Sequence, residues 1–290
     1  MCGLAGCLGL KIDKNTINSC INILKSRGPN SSGYINNSKI TLVHTRLSIL
    51  DLSNEGSQPM TDKRTGVTII YNGEVYNFLE LQDLLNIENK ISNDTKVLIK
   101  LYLKFGIDFV DKISGMFAFA IWDPRINSLY LVRDRFGIKP LYVHKNNNKV
   151  IFGSEIKALN ILGAERKVNY QTVKNYLNNG ILEDNASSFF EKIDPVKPGT
   201  IEKFTNNNCE VITYWNIKNN FSNNLYKSIS EEETNQYVSE ILNKTIKQHL
   251  ISDVKVGITL SSGVDSQILL KYISQNINSD INAFTYGYDE

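Results

Sequence analysis

Apolar residues in the first two-thirds of the chain fall in short β-branched and aromatic runs broken by Asn, Gly, Asp and Pro. The runs ITLVHTRLSILDL (40–52), TGVTIIYNGEVYN (65–77), MFAFAIWD (116–123), SLYLVRDRFG (128–137), PLYVHK (140–145) and KVIFGSE (149–155) predict strands. Three stretches carry apolar residues at helical spacing instead: FLELQDLLNI (78–87), TKVLIKLYLKFG (95–106) and YQTVKNYLNNGIL (170–182). Strands and helices are interspersed rather than strictly alternating, which predicts an α+β fold with antiparallel sheets. A last hairpin, TIEKF with CEVITYW around an Asn-rich turn, ends this region.

The pattern then changes. The polar stretch NIKNNFSNNLYKSIS reads as a linker, which predicts a first domain over 1–216, a linker over 217–230 and a second domain over 231–290. Ser230 and Glu233 form a capping box, and Val238, Ile241, Leu242 and Thr245 mark one face of a helix. The strand VKVGITL, the loop SSGVDS, the helix QILLKYISQ and the strand INAFTYGY follow, which is a βαβ order.

With 290 residues, 41% hydrophobic and 21% charged, the chain can bury a sizeable core in one large or two smaller domains. Its 32 basic and 30 acidic residues leave a net charge of +2, so no electrostatic footprint for nucleic acid or an anionic membrane is present. No apolar run approaches the roughly 20 residues of a membrane helix. The opening MCG also lacks the basic segment of a signal peptide. The expectation is a cytoplasmic protein with neither nucleic acid nor membrane as partner. Cys2, Cys7, Cys20 and Cys209 show no CxxC pairing and no nearby histidines, so neither zinc nor a disulfide framework is implied. His44, His144 and His249 are too few for a His-based triad scheme or a His-rich metal site.

Two short stretches carry candidate chemistry. Cys2 is either a small hydrophobe opening a buried strand or, once Met1 is removed, a residue with both a thiol and a free α-amine. The second reading makes it a nucleophile with its own base. SSGVDS is either a tight connection or a loop whose backbone N–H groups, at a helix N-terminus, suit a pyrophosphate. It is not a P-loop, since the Gly-Lys-Ser/Thr ending is missing. Asp265 beside it could help hold Mg²⁺ through an oxygen ligand.

MCGLAG, RGP (27–29), HTRLSILDL, QPM (58–60), YNGEVYN, FAFAIWD, LVRDRFGIKPLYV, FGSEIKAL and KPGT followed by YW stand in one order along the chain. In this register the sequence resembles the glutamine-dependent asparagine synthetase family, and SSGVDS resembles that family's nucleotide loop. The resemblance implies an N-terminal-nucleophile αββα sandwich of antiparallel sheets followed by an adenine-nucleotide α-hydrolase-like α/β domain. It implies that Cys2 hydrolyses glutamine, with the Asn72 side-chain amide and the Gly73 N–H as oxyanion donors. Taken alone, Asn-Gly would read as a hairpin turn. Arg46 would take the glutamine carboxylate, Glu74 and Asp94 its ammonium, and Leu47, Ile49 and Leu50 would line the same pocket. Without the resemblance those charged residues read as solvated surface groups. Leu260, Ser261, Ser262, Gly263, Val264, Asp265 and Ser266 would contact the nucleotide. Glutamine, aspartate and ATP with Mg²⁺ are the implied substrates and cofactors, the last two serving only the synthetase half, and a homodimer is a further expectation.

Several positions depart from the family pattern. Asn30 follows RGP where Asp is usual, which removes a carboxylate. Lys96 replaces a Glu near the ammonium site, Lys255 replaces a Pro and Ser262 a Gly. The chain ends at Glu290, soon after SSGVDS, which suggests a fragment, a truncated product or a chain needing a partner. Two other readings stand beside the leading one. One is a relative that amidates a sugar uronic acid in surface polysaccharide synthesis. The other is a non-catalytic module that keeps the glutaminase fold.

Overall fold

The computed structural model describes residues 1–146, 149–180, 187–205, 208–220, 229–276 and 281–287. The chain divides into two compact units, Met1–Asn216 and Ile217–Glu290. In the first, the elements run β1 (Gly3–Leu8), α1 (Lys14–Leu24), β2 (Ser31–Asn36), β3 (Ile40–Arg46), β4 (Met60–Thr61), β5 (Thr68–Val75), α2 (Phe78–Leu84) and α3 (Asp94–Phe105). There follow β6 (Gly115–Asp123), β7 (Ser128–Arg133), β8 (Tyr142–Asn146), β9 (Lys149–Gly153), α4 (Ile156–Ile161), α5 (Tyr170–Asn179), β10 (Ile193–Pro195), β11 (Thr200–Thr205) and β12 (Asn208–Thr213). These strands form two six-stranded sheets, ordered β10-β8-β9-β1-β3-β2 and β12-β11-β7-β6-β5-β4. Every pairing within them is antiparallel.

The two-residue period of a strand sends alternate side chains to opposite faces, and β1 shows where each face goes. Leu4 enters the core between the sheets with Leu42, Ile70, Ala118, Leu131 and Phe152. Ala5 and Cys7 face the other way, onto Ile17, Cys20 and Leu24 of α1 and Ala158 and Leu159 of α4. Helix α3 buries Val97, Leu98, Leu101 and Tyr102. Tyr102 meets Phe109 and Tyr130 edge-on, and Phe109 stacks on Phe119 of β6. The layers are therefore helix, sheet, sheet, helix. Strands covered on both faces need no polar alternation, which is why β3 and β7 are buried along their whole length.

One predicted strand is shortened, and several elements that the pattern did not show are added. Helix α1 hides in the polar sequence KNTINSCINIL. It forms because Asp13 caps it, accepting from the Thr16 N–H at 3.0 Å, while Ile17, Cys20 and Leu24 turn one face inward. The strand predicted over 40–52 ends at Arg46, whose guanidinium gathers the carbonyls of Leu50, Asp51 and Ser53 and pulls the following segment out of the sheet. Asp51 takes a left-handed φ of 53° within that bend. Asn72-Gly73 makes no hairpin, because β5 pairs without interruption with β6 from Thr68 to Val75. The short strands β2 and β10 carry too few apolar residues to be read from pattern.

The second unit contains α6 (Glu231–His249), β13 (Gly257–Thr259), α7 (Val264–Asn276) and β14 (Asn282–Phe284). The predicted capping box is present: the Glu233 N–H donates to Ser230 Oγ at 3.2 Å and the Ser230 N–H donates to Glu233 Oε2 at 2.9 Å. Strands β13 and β14 pair in parallel around α7. Helix α7 begins at Val264, so the last three residues of SSGVDS form its first turn rather than a loop. Among the described residues the predicted apolar face of α6 is only partly covered, with Leu242 half-buried. Val238 and Ile241 are exposed, and burial falls on Ile246 instead. Most of the predicted linker, 221–228, lies outside the described residues, as do 181–182, part of the Asn-rich turn and residue 288.

Candidate functional site

Cys2, Arg46, Leu47, Ile49, Leu50, Asn72, Gly73, Glu74 and Asp94 all line one pocket of about 590 Å³, part of it open to solvent. Cys2 immediately precedes β1, β3 delivers Arg46 at its end, β5 carries Asn72 to Glu74 and α3 begins with Asp94. Chain segments distant in sequence thus converge because β1 and β3 are neighbours in one sheet while β5 faces them from the other.

Cys2 sits on the backbone of Leu47, which donates its N–H to Sγ at 3.4 Å, while its carbonyl lies 3.7 Å from Sγ. Arg27 fixes the residue from behind, with Nε donating to the Cys2 carbonyl at 3.0 Å and Nη1 paired to Glu155 at 3.4 Å. Burial pushes the Cys2 thiol up, helped by Asp94 and opposed by the Leu47 N–H, the chain's amino terminus and Arg46. The resting thiol is therefore protonated, and a nucleophile there needs a base. Among the described residues no imidazole lines the pocket. His44 is buried and pushed down to about 4 by desolvation, with Nε2 3.0 Å from the Tyr71 carbonyl. His144 is tied to the Lys192 carbonyl at 2.9 Å. The amino terminus itself has a lowered value, chiefly through burial and then through Lys139 and Arg27.

Arg46 is already engaged. Nη1 donates to the Ser53 carbonyl at 2.7 Å, and Nη2 donates to the carbonyls of Leu50, at 3.2 Å, and Asp51. Gly56 lets the guanidinium lie flat, since any Cβ there would collide with Nη2. Opposite it stand two carboxyls. Asp94 is buried and accepts from Tyr71 Oη at 2.9 Å, the Val75 N–H at 3.3 Å and Thr95 Oγ1 at 3.4 Å. Desolvation still raises it. Burial first and Asp94 second push Glu74 up to about 7, with Lys139 acting the other way.

Asn72 is the most telling side chain. Both its Oδ1 and its Nδ2 are buried with no hydrogen-bond partner. Leaving such an amide unsatisfied costs about 1–3 kcal/mol, and the rarity of such groups in native proteins points to a ligand or a strained role. The neighbouring backbone completes the picture. The Tyr71 N–H donates outward to Gln58 Oε1 at 2.7 Å and the Val75 N–H outward to Asp94. Strand alternation puts the Gly73 N–H on that same edge. Only glycine fits at 73, because a Cβ would strike the Met116 carbonyl.

Further pocket residues were not singled out from sequence: Met1, Gly56, Gln58, Tyr71, Asn93, Thr95, Met116 and Lys139. Gln58 and Lys139 belong to the landmarks QPM and LVRDRFGIKPLYV, so their location was marked although their role was not. Two departures have defined places in the structure. Asn30 keeps the acceptor that a carboxylate would supply, its Oδ1 taking the Ser48 N–H at 3.0 Å. Lys96 turns away from the ammonium site and pairs with Glu55 at 2.6 Å.

In the second unit, the serines of the candidate nucleotide loop bond within it. Ser266 Oγ lies 2.9 Å from Ser261 Oγ and also donates to the carbonyls of Ser261 and Gly263, each at 2.9 Å. The Gly263 N–H donates to Ser261 Oγ at 3.2 Å. Leu260 joins the sheet through its N–H to the Phe284 carbonyl at 2.8 Å. Ser262, Val264 and Asp265 are exposed. Among the described residues no group of three or more His, Cys, Asp or Glu could hold a metal ion.

The glutamine amidotransferase domain family model matches residues 1–215, and the chain belongs to that family. The asparagine synthase model matches residues 237–290. Among curated relatives, asparagine synthetase [glutamine-hydrolyzing] 2 of Bacillus subtilis is 33% identical, covering 98% of this chain and 40% of its own length. Asparagine synthetase [glutamine-hydrolyzing] 1 of the same organism is 31% identical over 100% of this chain and 46% of its own length. The chain thus spans less than half the length of these two relatives. Glutamine phosphoribosylpyrophosphate amidotransferase of B. subtilis shares the fold, with a TM-score of 0.55 at 17% identity, covering 98% of this chain and 65% of that one. The α+β N-terminal-nucleophile architecture is therefore established. Among the described residues no helix is long and apolar enough to cross a membrane.

Proposed function

We propose that this chain is the glutaminase-bearing amino-terminal part of a glutamine-hydrolysing asparagine synthetase, with residues 1–216 hydrolysing glutamine. The observation that carries the reading is the unpartnered, buried amide of Asn72 in a pocket shared with Cys2, Arg46, Glu74 and Asp94. With Met1 removed, the Cys2 α-amine takes the thiol proton; a free α-amine has a pKa near 7.7–8.0, close to working pH. Sulfur attacks the glutamine side-chain carbonyl, and the C=O electron pair moves to oxygen. Asn72 Nδ2 and the Gly73 N–H stabilise that oxyanion, preformed and without reorganisation. The amine returns its proton to the departing nitrogen, ammonia leaves, and water cleaves the thioester to glutamate. The remaining N–H groups of Arg46 face the substrate carboxylate, and Glu74 and Asp94 its ammonium.

Residues 231–290 begin a synthetase domain in which ATP activates aspartate and ammonia from Cys2 forms asparagine, AMP and diphosphate. The Leu260–Ser266 segment would cradle pyrophosphate at the α7 N-terminus. Asp265 offers Mg²⁺ one carboxylate, so phosphates and water would complete its oxygen shell. The test is to follow glutamate and ammonia from purified chain, confirmed by mass to begin at Cys2. Release from glutamine alone, lost in Cys2→Ala, supports the reading. Failure to release glutamate refutes it.

A further inference from the structure

Lys139 lines the pocket yet is nearly buried, at 6% exposure, and its ammonium has no ion pair or hydrogen bond among the described residues. Its Nζ is not one of the fully buried unpartnered atoms, so the ammonium opens onto the pocket while the stem is covered. Its backbone is held with unusual thoroughness. The Asp134 carboxylate accepts the N–H of Lys139 at 2.9 Å, of Ile138 at 2.9 Å, of Phe136 at 3.1 Å and of Phe117 at 3.2 Å. Arg133 Nε donates to the Lys139 carbonyl at 3.0 Å, and its Nη2 to the Gly137 carbonyl at 2.8 Å. Pro140 follows, which biases residue 139 toward extended backbone. This turn therefore delivers one ammonium to one place.

We propose that Lys139 is a positioning residue of the glutaminase site, placing a fixed, unpaired positive charge on the wall shared by Cys2 and the chain's amino terminus. The proposal rests on the glutaminase reading. Burial pushes the Lys139 ammonium down, Arg27 adds to this, and Glu74 on β5, Asp134 in its own turn and Cys2 oppose it. Asp94 on α3, Arg46 on β3 and Tyr71 line the same pocket, and Glu155 pairs with Arg27. Arg27 has its charge answered by Glu155 at 3.4 Å, and the Arg46 guanidinium is held by the carbonyls of Leu50, Asp51 and Ser53, so Lys139 is the pocket cation whose charged group has no partner among the described residues. A positive charge near an amine favours its neutral form, the form that accepts the thiol proton. It also favours ionised Glu74, the form that holds a substrate ammonium. Lys139 acts in these directions on both groups: with Met1 in place the amino terminus is lowered, by burial first and then by Lys139 and Arg27, while at Glu74 Lys139 opposes the rise that burial and Asp94 cause.

The experiment uses the full chain beginning at Cys2, as wild type, Lys139→Met and Lys139→Arg. The amine's pKa is read by pH-dependent reductive methylation of the amino terminus, which needs no turnover, alongside kcat/KM for glutamine from pH 5.5 to 9. Lys139→Met should raise the amine's pKa. For each unit of rise, kcat/KM falls about tenfold below that pKa and returns toward wild type at high pH. Lys139→Arg should restore both. An unmoved amine pKa in a folded Lys139→Met chain, or an equal loss at every pH, overturns the proposal. A wild-type chain releasing no glutamate would instead refute the glutaminase reading, while the methylation arm still decides the electrostatic role.

Discussion

Asn72→Leu should separate activity from stability in opposite directions. The side chain is 1% exposed on a central stretch of β5, and neither amide atom has a partner. An unsatisfied buried amide carries a desolvation cost of about 1–3 kcal/mol. Leucine has the same branching, although it is bulkier, and removes that cost. The folded chain should therefore gain up to about 1–3 kcal/mol, less any strain from the branched side chain. Losing one oxyanion donor should lower kcat by about 10²–10³, which corresponds to about 2.7–4 kcal/mol of transition-state stabilisation. KM should change little, because the amide bonds strongly only once charge develops on oxygen. Steady-state glutamate release and denaturant unfolding of both chains make the comparison. Unchanged kcat would remove Asn72 from the reaction. A loss of stability of 2 kcal/mol or more, roughly the cost of breaking a made bond, would show that the amide is already paired in the resting protein.

Retention of Met1 should abolish glutamine hydrolysis, since it turns the Cys2 nitrogen into an amide and Met1 itself lines the pocket; intact mass set against activity across partly processed preparations checks this. Arg46→Ala should weaken glutamine binding by roughly 1.5–3 kcal/mol, read as a rise in KM. Arg46→Lys should not rescue it, because a point charge cannot serve three carbonyls and a carboxylate together. Glu74→Gln should flatten the pH dependence of KM, which in wild type falls as pH rises through about 7 and Glu74 ionises toward the substrate ammonium. The stability sign is also fixed. Because folding raises Glu74 from 4.5 to about 7, its contribution is fully present below 4.5 and lost as pH rises through about 7. Glu74→Gln should therefore gain on wild type above pH 7 and match it near pH 4.5, measured by denaturant unfolding.

The antiparallel sheets were legible because β5, β6 and β7 are rich in β-branched and aromatic residues, and the capping box of α6 because its signal is local. Helix α1 was missed: Ile17, Cys20, Ile21 and Leu24 do stand at helical spacing, but the stretch is short and its Asn, Ser and Thr residues favour turns over helix interiors. The bend after Arg46 depends on one guanidinium gathering carbonyls from residues that follow it, a tertiary effect with no local signature. Asn72-Gly73 carries the strongest short turn signal yet lies mid-strand, because pairing with β6 outweighs local preference. All nine residues expected to form the glutamine site converge, since their positions came from a register spanning the chain. Lys139 escaped because nothing in RDRFGIKP says which of its cations turns inward.

The most direct test of Cys2 as the nucleophile is covalent capture. A diazoketone analogue of glutamine alkylates an attacking thiolate with loss of N₂, and peptide mapping then locates the adduct. One adduct on the amino-terminal peptide at Cys2, blocked by excess glutamine and absent in Cys2→Ala, is the predicted result. Adduct on Cys7, Cys20 or Cys209, or a Cys2→Ala chain that still releases glutamate, would contradict it.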